Sequence, residues 1–284
     1  MPHPDLIAAA GAAGAHALAW YLGLLALLLA LEATAWRTEP RSMRHTRRSA
    51  PSMRARLWLG VAVFAGAATC FAAMAYAVGG GAGGALAQVD RALLDALRAG
   101  MPARAVQDFE WVTWFGDGRT LALLCTLAVA VLLARRERVL ALALVAAVGG
   151  NGILNAALKR LFERSRPLHE AGLPVAHGWS FPSGHASGAV VAYGMLAYVL
   201  VKTLPSRWHQ PVVMVATALA FSVGWSRIFI EVHFASDVLA AFASGTAWLT
   251  LVIVVTECWL LGSKPTQRGA RVGDTVPGWQ RPSR

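Results

Sequence analysis

Charged side chains are scarce in this chain of 284 residues: Asp, Glu, Lys and Arg together make up 14% of it. Soluble domains sit nearer a quarter. Hydrophobic residues reach 56% and the mean hydropathy is +0.50, which excludes an ordinary water-soluble globule and points to a bilayer. Acidic residues are the scarcer of the charged ones, 15 against 26 basic, and the net charge is +11. Such an excess suits nucleic acid or an anionic surface. The arginines flank apolar runs and are not interleaved with aromatics on a soluble domain, so membrane orientation accounts for them and no nucleic-acid partner is expected. Cysteine is nearly missing. Cys70, Cys125 and Cys258 all fall within apolar runs, with no CxxC pair and no Cys/His ligand spacing, which argues against a disulfide framework and a structural zinc site. No metal and no cofactor is indicated. The first apolar run lacks a basic stretch ahead of it and a clear cleavage site, and reads as a retained helix.

What the chain does have is long apolar runs. Seven read as spanning helices: Ile7–Trp36, Leu57–Val78, Thr120–Ala134, Val139–Leu158, Ser183–Leu204, Pro211–Phe229 and Phe234–Leu261. The third is short and has room to begin earlier, within Val112–Arg119. The fold class is therefore all-α, a polytopic transmembrane helix bundle. Basic residues follow alternate spans: Arg37, Arg41, Arg44, Arg47, Arg48, Arg54 and Arg56; then Arg135, Arg136 and Arg138; then Lys202 and Arg207; then Lys264, Arg268 and Arg271. If the spans alternate, all lie on one side. The positive-inside rule makes that side cytoplasmic, with the N-terminus outside and the C-terminus inside.

On the other side, Gly79–Gly84 is a flexible break before Leu86–Arg98. There Leu86, Val89, Leu93 and Leu97 recur at helical spacing, with Asp90, Arg91, Asp95 and Arg98 on the opposite face. This predicts a helix lying in the membrane interface, either a plain connector or a contributor to substrate access. Trp111, Trp114 and Phe115 read as an aromatic anchor at headgroup level.

Three short segments share that side and concentrate groups that a bilayer protein usually reserves for function. The first, Lys159 to Pro167, closes span four; Pro182-Ser183-Gly184-His185 opens span five; Ser226-Arg227, His233 and Asp237 cross the turn between spans six and seven. Lys159 and Arg166 are seven apart, two turns if the helix continues. With Arg227 they could surround a phosphoryl group, Arg by bidentate geometry and Lys as a point charge. Ser183 and Gly184 begin a helix whose free amides and dipole favour an anion. His233 and Asp237 have i,i+4 spacing, so the carboxylate can hold one ring nitrogen and leave the other to attack phosphorus. His185 could protonate the leaving oxygen.

Together, Lys-x6-Arg-Pro, Pro-Ser-Gly-His and Ser-Arg-x5-His-x3-Asp resemble the three motifs of the type 2 phosphatidic acid phosphatase (PAP2) superfamily, with the spacing intact. The resemblance implies phosphate contacts from Lys159, Arg166, Ser183, Gly184 and Arg227. It also implies His233 as nucleophile, Asp237 as its orienting partner and His185 as general acid, with no metal in bacterial members. It implies an integral membrane phosphatase hydrolysing a lipid-linked phosphate or pyrophosphate through a phosphohistidine. Undecaprenyl pyrophosphate, phosphatidylglycerol phosphate, phosphatidic acid and lipid A phosphates all remain open as substrates. A phosphotransferase using the same intermediate is the alternative, and a non-catalytic transporter or scaffold a weaker one. The organisation expected is an extra N-terminal span over 1–36, a basic cytoplasmic loop over 37–56, a PAP2-like six-helix core over 57–262 and a disordered basic tail over 263–284. The expected place is the bacterial cytoplasmic membrane, with the site facing the periplasm or exterior and membrane lipids around it.

Other polar residues have blander readings. Asn151 and Asn155, one turn apart, suit hydrogen bonding between helices more than the site. His169 and His177 read as solvated loop residues, and His16 as interfacial. Glu231 is either a surface carboxylate or a group that tunes His233.

Overall fold

The computed structural model describes residues 4–38, 53–79, 84–167 and 178–262. Among these, ten α-helices follow one another: α1 (Pro4–Ala15), α2 (Ala17–Thr38), α3 (Met53–Gly79), α4 (Ala85–Gly100), α5 (Ala103–Thr113), α6 (Gly118–Ala134), α7 (Arg138–Phe162), α8 (Gly184–Thr203), α9 (His209–Phe229) and α10 (Ala235–Gly262). Single 3₁₀ turns at Trp114–Gly116 and Ser206–Trp208 lead into α6 and α9. The expected basic loop over 37–56 is described only at its ends, where 37–38 close α2 and 53–56 open α3; residues 39–52, His169, His177 and the tail from residue 263 lie outside the described residues.

Six of the described helices are long and apolar enough to cross a membrane; a bent pair, α5 with its 3₁₀ turn followed by α6, makes up to seven. The 42° bend falls at Asp117, whose side chain accepts the amide of Arg119 at 2.9 Å and so caps α6. The short third span thus continues backward as anticipated, but at an angle. The first predicted span is corrected. It breaks at His16, and α1 folds against α4 instead of extending α2. Gly14 permits this contact: a Cβ there would stand 2.8 Å from the carbonyl oxygen of Leu93, so only glycine lets the two backbones approach. His16 itself is exposed at the break.

The core lies between α6, α7, α8, α9 and α10, where Leu121, Leu144, Ala147, Val191, Met195 and Val223 are buried. Small residues allow close helix contact. A Cβ on Gly245 of α10 would lie 3.1 Å from the Ser187 carbonyl of α8. Asn151 and Asn155 both donate to Ser187 Oγ, at 3.5 and 3.2 Å, which is the interhelical bonding anticipated for them. Large apolar side chains such as Trp58, Leu59, Leu127 and Ile153 point outward, where lipid would cover them. Trp111 and Trp114 are likewise exposed near the bend, consistent with an interfacial anchor.

A second apolar cluster, with Leu97, Phe109, Phe229, Ile230, Val232 and Val238, packs α4 and α5 against the turn joining α9 to α10. α4 is therefore anchored inward by a stripe that includes Asp90, Leu94 and Leu97, all buried. Asp90 does not belong to a polar outer face as its sequence neighbours suggest. It is 3% exposed, and its carboxylate has a task described below.

Candidate active site

The C-terminal ends of α7 and α9 and the N-terminal ends of α8 and α10 meet at one end of the bundle. α7 stops at Phe162 because Glu163 turns left-handed, with φ 43°, and its amide closes on the Lys159 carbonyl. Lys159 and Arg166 are therefore not on one continuous helix face, as the seven-residue spacing suggests. A returning strand of backbone brings them together instead. Lys159 Nζ donates to the Trp179 carbonyl at 2.5 Å, and Arg166 Nε to the Gly178 carbonyl at 2.9 Å.

The turn between α9 and α10 presents His233. The Arg227 carbonyl accepts the amides of Val232 and His233, each at 3.2 Å, and Glu231 takes φ 58° to close the loop. Glu231 then accepts from Arg98 Nε at 2.7 Å, tying α4 to this turn. It is neither a bare surface group nor a partner of His233.

His233 and Asp237 do pair, though not as two residues of one helix. α10 begins at Ala235, so Asp237 sits in its first turn and reaches back to the Phe234 amide at 3.0 Å. That same Oδ2 lies 3.4 Å from His233 Nδ1. Ser180 Oγ lies 3.2 Å from Nδ1 and donates to Asp237 Oδ2 at 2.5 Å. On the other side of the ring, Arg166 Nη1 stands 3.1 Å from Nε2. A guanidinium can only donate, so Nε2 is the acceptor and the neutral ring carries its proton on Nδ1. His233 is 1% exposed. Burial drives its pKa down to about 4, against the upward pull of Asp237 and with Arg166 and Arg227 assisting. At neutral pH the imidazole is uncharged, with the Nε2 lone pair directed toward a cation.

Arg227 is buried and donates to Thr113 Oγ1 at 2.6 Å, while its Nε has no hydrogen-bond partner among the described residues. Ser183 caps α8, its Oγ accepting the Ala186 amide at 3.5 Å. Its own amide is already given to the Asp237 carbonyl at 3.2 Å, so only the hydroxyl proton is free for an anion. Gly184 is closely packed: a Cβ would come 3.2 Å from Asn155 Oδ1, which would have to shift by a few tenths of an ångström. His185 sits beside Gly116, where an added Cβ would be 3.4 Å from its Cβ and Cδ2, and it feels the charges of Arg227, His233, Asp117 and Arg166. Among the described residues no group of three His, Cys, Asp or Glu side chains is arranged to hold a metal.

Sequence reading missed Ser180, Arg164, Asp90, Ser236 and Thr113. Arg164 Nη1 donates to Asp237 Oδ1 at 2.6 Å and to Ser236 Oγ at 2.7 Å, and its Nη2 to Asp90 Oδ2 at 2.8 Å. Asp90 had one legible signal: it shares the apolar stripe of α4, an odd place for a carboxylate without a partner. Ser180 and Thr113 had none, being common residues outside any spacing that chemistry requires.

These features define a polytopic helical membrane protein whose bundle end holds a buried His–Asp pair beside three cations. The family model of the PAP2 superfamily matches residues 140–258 of the chain. Phosphatidylglycerophosphatase B of Bacillus subtilis strain 168 is 41% identical over 108 residues, covering 37% of this chain and 52% of that protein. The chain thus matches about half the length of this curated relative. The crystal structure of a transmembrane PAP2 type phosphatidylglycerolphosphate phosphatase from Bacillus subtilis superposes with a TM-score of 0.63 at 29% identity, covering 73% of this chain and 98% of the other.

Proposed function

We propose that this protein is an integral membrane lipid phosphatase acting on a lipid phosphate monoester or pyrophosphate, with phosphatidylglycerol phosphate the first substrate to test. The similarity to phosphatidylglycerophosphatases supports that choice. The observation that carries the reading is the orientation of His233: Nδ1 is held by Asp237 and Ser180, while Nε2 faces Arg166.

In the proposed reaction the Nε2 lone pair attacks phosphorus, forming a P–N bond as the P–O bond to the lipid breaks. Lys159, Arg166 and Arg227 neutralise charge on the phosphoryl oxygens, with the Ser183 hydroxyl and the Gly184 end of α8 beside them. Asp237 stabilises the Nδ1–H ring as Nε2 becomes bonded. His185, protonated when the phosphate dianion binds, gives its proton to the leaving oxygen. It then takes a proton from water, which attacks the phosphohistidine, releases phosphate and restores Nε2.

A cavity of about 470 Å³ opens beside the site, lined by Ala77 and Val78 of α3, Arg91 and Leu94 of α4, Arg166 and Phe234. Its apolar walls, with arginines outnumbering the carboxylates of Asp95 and Glu163, suit the glycerol and lipid end of such a substrate. The one-sided arginines support a site facing the periplasm or exterior of a bacterial cytoplasmic membrane. The experiment is phosphate release by purified protein from a panel of lipid phosphates and pyrophosphates, with and without a second lipid as acceptor. Release independent of acceptor supports hydrolysis. Label passed to the acceptor lipid makes the protein a phosphotransferase, and no turnover of any phospholipid overturns the reading.

A further inference from the structure

We propose that Arg164, backed by Asp90, is a positioning residue: a guanidinium bridge that holds Asp237, and through it His233, in the attacking geometry. The proposal rests on reading His233 as the nucleophile.

Arg164 occupies an unspecified position between Lys159 and Arg166, and nothing in the motif asks for it. The two oxygens of Asp237 are divided between two sets of partners. Oδ2 serves Ser180, the Phe234 amide and the His233 ring; Oδ1 is taken by Arg164 at 2.6 Å. A carboxylate held on one side only can rotate and exchange its oxygens. Arg164 removes that freedom, because its planar fork is anchored at the far end as well, where Nη2 meets Asp90 at 2.8 Å. Asp90 is fixed in turn: Oδ1 accepts the Ser236 amide at 3.2 Å and Oδ2 the Ser236 hydroxyl. The Phe234 ring lies over the guanidinium, 4.6 Å from its carbon, and shields the bridge.

Charge makes the arrangement obligatory. Two carboxylates, 3% and 0% exposed, converge on the first turn of α10, and without a shared cation they repel. Burial opposes the charged guanidinium, but Asp237 and Asp90 outweigh it and hold the Arg164 pKa above its ordinary value. A lysine could meet one carboxylate but not span both. The bridge also couples the nucleophile to α4, a helix that contributes nothing to the three motifs and is itself clamped by α1.

Arg164 borders the 470 Å³ cavity, so direct contact with substrate is the competing possibility. The test uses the full chain in detergent micelles, with single-turnover rates on nitrophenyl phosphate and competitive inhibition by inorganic phosphate. Arg164→Gln should lower the chemical rate about 10–100-fold, the range seen when an outer partner of a site is removed. Its inhibition constant for phosphate should stay within about two-fold of the parent, since the lost interaction is not with the anion. Arg164→Lys should recover only part of the rate. Asp90→Asn should lose less than Arg164→Gln and add little to it in the double variant, because Asp90 acts through Arg164.

A pH profile supplies a readout that a packing defect would not move. The charged and titratable groups facing His233 are Asp237, Arg166, Arg227 and His185. Without Arg164 the Asp237 charge is less compensated and holds a proton on His233 more strongly, so the acid limb should move to higher pH. A parental rate in Arg164→Gln overturns the proposal. So does a loss of phosphate affinity in step with the rate, which would make Arg164 a phosphate ligand. Should Arg164→Gln not fold, parental rates in both Arg164→Lys and Asp90→Asn overturn it equally. His233→Ala separates the two levels: turnover there sinks the nucleophile reading, whereas a dead His233→Ala beside an unaffected Arg164→Gln sinks only the positioning role.

Discussion

Arg166 Nη1 donates to His233 Nε2 across 3.1 Å, and the same guanidinium donates to the Val232 carbonyl at 2.7 Å and the Gly178 carbonyl at 2.9 Å. Two backbone carbonyls thus fix the cation before any substrate arrives. A phosphoryl group reaching Nε2 must enter beside it, with little reorganisation left for the moment of reaction.

The two histidines should fail differently. His233→Ala removes the nucleophile, so lipid and aryl phosphates should both lose turnover and no phosphoenzyme should form. His185→Ala removes only the proton for the leaving oxygen, worth about 10²–10⁴-fold. A lipid alkoxide needs that proton, whereas a nitrophenolate leaves without it. Single-turnover rates should therefore fall much further on a lipid phosphomonoester than on nitrophenyl phosphate. Equal losses from both variants on both substrates would leave the two roles without support, and a phosphohistidine trapped on His185 would reverse them.

The acid limb of activity should lie well below an ordinary histidine. Burial lowers His233 to about 4, so its lone pair is available at neutral pH and is lost only as pH falls through that value. The limb that belongs to His233 should be a fall in kcat/KM on the acid side, because protonation removes its lone pair. The second ionisation of the substrate, near about 6, adds its own limb and moves with the leaving group. Profiles for two aryl phosphates of different acidity separate the two limbs. A limb at about 6.5 shared by both substrates would show that His233 is not depressed.

Ser180 should matter more than its position suggests. Ser180→Ala removes the hydroxyl that donates to Asp237 at 2.5 Å and leaves that buried oxygen with fewer donors. A hydrogen bond to a charged group is worth about 1.5–3 kcal/mol, so a loss of roughly ten-fold or more in kcat is expected. KM should change little, because the hydroxyl faces Asp237 and His233. A rise in KM at unchanged kcat would place Ser180 on the substrate instead.

The orientation can be read with single cysteines in a chain freed of Cys70, Cys125 and Cys258. Arg104, at the start of α5, and Arg135, just after α6, are exposed at opposite ends of the bent span. In intact spheroplasts an impermeant maleimide should label Arg104→Cys directly and Arg135→Cys only after the membrane is opened. The reverse pattern would place the catalytic end in the cytoplasm.

Much of the architecture was legible because a bilayer imposes local rules. A span needs a continuous apolar run, and the sequence supplies such runs near the observed ones for α3 and α7 to α10. The break at His16 was not legible, since α1 is apolar enough to continue the helix and the contact that Gly14 makes with α4 is remote in sequence. The angle at Asp117 and the end of α7 at Glu163 were hidden for a related reason. Each depends on a single backbone conformation that composition does not announce.

Sequence alone determined the chemistry available at the site: the two histidines, the paired carboxylate and the three cations, and the membrane face they share. Their spacing is a local property, and helix ends bring them to one face whatever the packing. Only the tertiary structure decided how they are held. Ser180 reaches Asp237 across 57 residues and Asp90 reaches Arg164 across 74, through bonds that no periodicity encodes. Burial then supplies what the residue types lack, since only in a dry interior must every charge find its partner.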